Sequence, residues 1–126
     1  MRTLFGISLA AAMLIVAIAI PGAAPAAARQ TTVCTLTTHD QRHLGASYVT
    51  SLSVMGTSCA AGKNVTLAFN RCRTAGGKPQ GKCNRKVGHY TCTEKRYDAV
   101  PGVQYSSKVS CAWGKKRVFS SYTQNT

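Results

Sequence analysis

The alternation of apolar and polar side chains changes period several times along the chain, and each change marks an element. Residues 33–37 and 46–55 are β-branched, aromatic and alternating, with Tyr48, Thr50, Leu52 and Val54 on one side of the second run. Period-two patterns of this kind predict half-buried strands, here paired as a hairpin. Between them His39-Asp40-Gln41-Arg42-His43 and Gly45 predict a polar connection of turn character. The period then becomes helical. Gly56-Thr57-Ser58-Cys59 supplies capping hydroxyls, and Ala61, Val65, Ala68, Phe69 and Cys72 follow at helix spacing, which predicts one amphipathic helix over residues 59–71. Gly62, Asn64 and Thr66 weaken its intrinsic propensity, so it must be stabilised by packing on a sheet.

Residues 73–86 hold three glycines, a proline and five cations with no apolar period, and predict a loop. Alternation returns at residues 87–93, 104–112 and 118–122, separated by the turn signals Pro101-Gly102 and Trp113-Gly114, and predicts an antiparallel meander. The order β-β-α-β-β-β places one helix against an antiparallel sheet, an α+β fold in two layers.

Ahead of all this, Arg2 precedes an uncharged apolar run over residues 4–20, then Pro21-Gly22 and Ala26-Ala27-Ala28. This pattern predicts a secretory signal peptide over residues 1–28, cleaved before Arg29, with residues 29–126 as a single secreted domain. The competing reading is an uncleaved membrane anchor, since the apolar run reaches the low end of a spanning helix; no later segment is apolar enough to span.

Export changes what the cysteines mean. Cys34, Cys59, Cys72, Cys83, Cys92 and Cys111 are an even set in a small exported chain and predict three disulfides, not a metal site, because no Cys-x-x-Cys spacing occurs. Of the fifteen possible pairings, Cys92 and Cys111 are nearly symmetric about the Pro101-Gly102 turn and can face each other across a hairpin. Cys72 with Cys83 would clamp the basic loop, which leaves Cys34 with Cys59 by elimination.

The segments SYVTSLSVMGTSCAAGKNVTLAF (47–69), GHYTC (88–92), VSCAWG (109–114) and Val118-Phe119 resemble a family of small, largely uncharacterised exported domains common in actinobacteria. The resemblance implies a secreted α+β domain from a high-GC bacterium and carries no activity with it. Cys72 and Cys83 are not a constant part of that family's pattern.

Charge narrows the function. The whole chain carries 16 Lys and Arg against 3 Asp and Glu, a formal +13. Twelve of the cations lie at or after Arg71, against Glu94 and Asp98. Such asymmetry predicts an anionic partner: an envelope polymer such as teichoic acid, an acidic lipid surface, extracellular nucleic acid or acidic polysaccharide. The nominated contacts are Arg71, Arg73, Lys78, Lys82, Arg85 and Lys86, with Lys115, Lys116 and Arg117 as a second cluster. Arginine would fork onto phosphate or carboxylate and lysine act as a point charge. Tyr90, Tyr97, Tyr105, Trp113 and Tyr122 lie near these cations and could stack on bases or sugars, Trp113 foremost because it sits at a turn.

The composition disfavours catalysis. Three acidic residues cannot furnish a carboxylate metal cage, a catalytic pair and a buried ion-pair network at once, and no nucleophile-elbow, metalloprotease or phosphate-loop motif occurs. The sequence reading is therefore a monomeric, non-enzymatic binding module without cofactor or metal. One alternative is a ribonuclease-like hydrolase using His39, His43 and His89. Another is a protease inhibitor presenting the 73–86 loop, whose glycines argue against the necessary preorganisation.

Overall fold

A computed structural model of the chain describes Gly22 and residues 28–126. The expected leader, residues 1–28, falls outside the described residues except for Gly22 and Ala28. Seven elements follow in order: β1 (Thr31–Val33), α1 (Thr38–His43), β2 (Tyr48–Met55), α2 (Cys59–Thr74), β3 (Thr91–Val100), β4 (Gln104–Trp113) and β5 (Lys116–Asn125). They build a five-stranded antiparallel sheet in the order β1-β2-β5-β4-β3 with α2 on one face. The α+β architecture and the C-terminal meander are as expected; β1 pairs with β2 as expected but spans Thr31–Val33, where residues 33–37 were expected, and the chain leaves the sheet at Cys34.

Each departure from expectation has a local cause. The connection expected as a turn between the first strands contains α1. Thr37 closes a capping box, its hydroxyl accepting from the Asp40 amide while Asp40 accepts from the Thr37 amide, which satisfies two otherwise orphaned donors and starts a helix. In β2 the expected inward row Tyr48-Thr50-Leu52-Val54 is broken, because a bulge at Thr50 shifts the register between Val49 and Ser51. Val49, Leu52 and Val54 are buried while Tyr48 and Thr50 face solvent. One extra residue inverts the alternation. The strand expected at residue 87 begins at Thr91, since Val87 and Tyr90 close a tight turn on each other through paired backbone hydrogen bonds.

The largest departure concerns α2. Ser58 caps it as expected, its hydroxyl accepting from the Ala61 amide, but the buried face is Gly62, Thr66, Phe69, Asn70 and Arg73. Of the predicted stripe only Phe69 is on it; Ala61, Val65 and Cys72 are half-buried on its flank and Ala68 is exposed. Gly62 permits a close seat, since a Cβ there would approach Val54 Cγ1 to 2.6 Å. Phe69 belongs to a buried cluster that also contains Val49, Leu52, Val54, Val109 and Val118.

Toward the C-terminus of α2 the core turns polar. Arg73 is 1% exposed. It donates from Nε to Asn70 Oδ1 (2.7 Å), from Nη1 to the Pro79 carbonyl (2.7 Å) and Tyr105 hydroxyl (3.1 Å), and from Nη2 to Gln124 Oε1 (2.6 Å). Its guanidinium carbon lies 4.5 Å from the Tyr122 ring centroid. Beside it, Glu94 accepts from Arg96, Ser107 and Tyr122. Burial pushes the Glu94 carboxyl up, but those donors and the Arg96 charge outweigh burial and hold it below the ordinary glutamate value. Among the described residues no buried side-chain polar atom lacks a partner, the condition under which a polar core is tolerated.

All three disulfides are present with the expected pairings, Cys34–Cys59, Cys72–Cys83 and Cys92–Cys111. The last joins residues directly opposite each other in the β3–β4 ladder. No helix among the described residues is long and apolar enough to cross a membrane.

Candidate functional site: a cationic end of the sheet

Arg71 and Arg73 end α2, where positive side chains complement the helix dipole, yet only Arg71 is exposed. Arg73 is corrected from surface contact to core residue: it makes four hydrogen bonds inside the fold, to one backbone carbonyl, two side-chain amides and a hydroxyl, and no solvent-facing ligand can reach it.

The loop that follows is fixed in place. The chain turns at Lys78–Gly81, with the Gly81 amide donating to the Lys78 carbonyl (3.0 Å). Arg73 and Tyr105 both donate to the Pro79 carbonyl, and Arg96 donates to the Gln80 and Gly81 carbonyls. The Cys72–Cys83 bridge closes the far side. The loop's glycines therefore do not leave it loose, because two arginines from the core grip three successive carbonyls.

Pinning the loop distributes its cations. Lys78 lies near Gly45, Ser47 and Gln124, at the end of the sheet where β5 finishes, away from the others. Lys82 borders a cleft of about 420 Å³ with Asn84, Thr93 and Arg96. Arg85 and Lys86 border the adjoining cleft, about 400 Å³, with Asn84, Thr91 and Cys92. Both clefts run along β3, an edge strand.

The second cluster sits on the β4–β5 hairpin. Lys115 occupies its two-residue turn, and its carbonyl accepts from Arg29 Nη1 (2.8 Å). Lys116 faces Trp113 across the ladder, its ammonium 4.4 Å from the indole centroid. Arg117 is spent on the hairpin itself, donating to the Gly114 (2.6 Å) and Lys116 (2.8 Å) carbonyls.

One contact joins the two clusters. His89, three residues after Lys86, stacks on Trp113 with ring centroids 4.6 Å apart, and Tyr90 meets the same indole edge-on at 5.7 Å. The segment carrying Arg85 and Lys86 thus lies against the hairpin carrying Lys115 and Lys116. Trp113 remains 42% exposed, whereas Tyr90, Tyr105 and Tyr122 are buried in the core and leave the set of stacking candidates. Sequence reasoning treated His89 only as a catalytic candidate; the Gly88-His89 turn signal beside a strand was the sign that it would sit at a strand end.

Neither ion pair among the described residues uses a nominated cation: they are Lys63–Asp40 (2.7 Å) and Arg96–Glu94 (3.0 Å). Among the described residues none of Lys82, Arg85, Lys86 and Lys115 forms an ion pair, although Glu94, held by Arg96, also lines the cleft beside Lys82. The histidines do not converge. His39 and His43 stack on each other at 3.9 Å on α1, which packs on β2, while His89 stacks on Trp113 of β4. Among the described residues no group of three metal-ligating side chains forms.

Comparison with protein families, curated proteins and solved structures finds no match to this chain.

Proposed function

We propose that this chain is a secreted, non-enzymatic binding module for an anionic ligand of the cell envelope or its surroundings, engaged at the end of the sheet formed by residues 82–89 and the β4–β5 hairpin. The observation that carries the reading is the juxtaposition of two cationic clusters, unpaired with carboxylates, around an exposed indole. Solubility alone requires charge spread over a surface. A ligand requires charge gathered beside something it can stack on. Three disulfides fit an oxidising, extracellular location.

The test is binding of the oxidised chain to glycerol-phosphate teichoic acid, a single-stranded RNA and phosphatidylglycerol vesicles across a salt series. The reading expects one of these to remain bound near about 0.15 M salt, with a log–log salt slope that flattens when Lys82, Arg85 and Lys86 become Ala. Loss of all binding at that salt, or an unchanged slope in the triple variant, overturns it. Tracking RNA integrity in the same samples tests the hydrolase alternative.

The pinned loop favours one second reading, inhibition of a trypsin-like protease with Lys82 as the inserted side chain, since a loop gripped through its carbonyls meets the preorganisation such inhibitors need. Undiminished trypsin activity in the presence of excess chain removes it.

A further inference from the structure

The face of the sheet opposite α2 has a composition of its own. Cross-strand register places Thr93, Ser110, Phe119 and Ser53 in one row and Lys95, Lys108, Ser121 and Ser51 in the next. All eight are exposed or half-buried. Together they line a shallow depression of about 340 Å³.

Two features of these rows work against the sheet's own stability. Lys95 and Lys108 stand directly opposite each other on neighbouring strands, an arrangement of like charges that destabilises a ladder and is eased only in part by the Tyr97 ring, whose centroid lies 5.7 Å from the Lys108 ammonium. No carboxylate relieves it: Glu94 turns to the core, Asp40 pairs with Lys63 on the helical side, and Asp98 lies beyond the regular β3–β4 ladder. Phe119, on an interior strand, is 36% exposed with serines on both sides in its row. Solvation explains a lysine pair or a lone aromatic singly. It does not explain both inside one hydroxyl-lined depression.

We propose that this face is a subsite for a carboxylated oligosaccharide, separate from the cationic end of the sheet. On the interior strands β4 and β5 the backbone groups are consumed by the ladder, so a ligand meets only side chains: hydroxyls that both donate and accept, two ammonium groups and one aromatic ring. A uronic acid sugar matches that set. Its ring hydroxyls pair with Ser51, Ser53, Ser110 and Ser121, its apolar C–H face lies on Phe119, and its carboxylate sits between Lys95 and Lys108. Nucleic acid fits less well, because phosphate is best gripped by arginine forks or free backbone amides, and the arginine in this face, Arg117, lies outside the depression and turns its Nη1 to hairpin carbonyls.

The experiment titrates the oxidised chain with an α-1,4-linked galacturonic acid tetramer and with the neutral galactose tetramer of the same linkage, following amide shifts by NMR. The expected result is that the acidic tetramer alone binds, with shifts concentrated at Ser51, Ser53, Ser110 and Ser121. Lys108→Glu should cost at least about tenfold in affinity, the order expected for a lost charge-assisted hydrogen bond, while raising the melting temperature by pairing with Lys95. Phe119→Thr should also weaken binding, and the Lys82, Arg85 and Lys86 triple alanine variant should leave it intact. No binding at millimolar tetramer, equal binding of both tetramers, an unaffected Lys108→Glu variant, or loss in the triple variant each overturns the proposal. Teichoic acid binding lost only in the triple variant would instead bear on the cationic end.

Discussion

Gly81 lies so close to Arg73 that a Cβ on the glycine would stand 1.8 Å from the arginine's carbonyl oxygen. That approach seats the basic loop against the end of α2, and backbone on one side leaves no flexible side chain to yield. Gly81→Ala should therefore displace the loop and cost about 2 kcal/mol or more, within the range for overpacking a closely fitted site. Gly76→Ala, where a Cβ meets nothing within 4 Å, is the control and should be neutral or slightly stabilising. Urea unfolding of both variants with disulfides intact checks this; equal midpoints would contradict the packing.

Arg73 and Arg71 are two residues apart and should behave oppositely. Arg73→Ala removes partners from Asn70, Gln124, Tyr105 and the Pro79 carbonyl and opens a cavity, for an expected loss of roughly 3–5 kcal/mol. Arg71→Ala should change stability by no more than about 0.5 kcal/mol. A near-native midpoint for Arg73→Ala would contradict its burial.

Stability should fall at both extremes of pH. Asp40 is lowered to about 2, first by its hydrogen bond from Lys63 and then by the Thr37 amide, and Glu94 also lies below its ordinary 4.5. The folded chain thus holds both as anions more readily than the unfolded chain does. That contribution is complete above the ordinary carboxylate values and is lost as pH drops toward 2. Tyr122 goes the other way: burial first, and then its hydrogen bond to Glu94, raise it far above 10.0, so its contribution is complete below pH 10 and fades above it. Melting temperature against pH should show both limbs. Glu94→Gln should flatten the acid limb, and Tyr122→Phe the alkaline one.

Replacing Cys72 and Cys83 by Ser should leave the sheet folded, since Arg73, Tyr105 and Arg96 still hold the carbonyls of residues 79–81. The expected cost is about 2–3 kcal/mol for so short a loop, with amide exchange accelerated at residues 82–86 and unchanged in β4 and β5. Exchange that rises uniformly would mean that the bridge supports the whole domain.

Features set by neighbours in sequence were legible before the structure was. The Thr57-Ser58 cap, the meander and the Cys72–Cys83 and Cys92–Cys111 pairings follow from local spacing, and Cys34–Cys59 was left by elimination. What failed was decided by distant contacts. The burial of Arg73 depends on Tyr105 and Gln124, more than thirty residues away, and nothing in a run of cations distinguishes the one that turns inward. The same burial explains the misplaced helix stripe, because apolar periodicity cannot locate a face whose buried members include Thr, Asn and Arg. The Thr50 bulge left no mark in composition. The capping box at Thr37 and Asp40 was readable, and the polar character of the stretch concealed it. In the candidate site, charge density found the two clusters, but their meeting through His89 and Trp113 required the fold.

β3 spans ten residues at the margin of the sheet, with a tethered loop running beside it in place of another strand. A bare margin of that length is a template on which further copies could add their own strands and grow into fibres. The tether therefore also serves as a guard rail, and its fastening is chemical. Loss of the Cys72–Cys83 bond alone should free the loop's far end from beside β3 and leave the chain more prone to self-assembly.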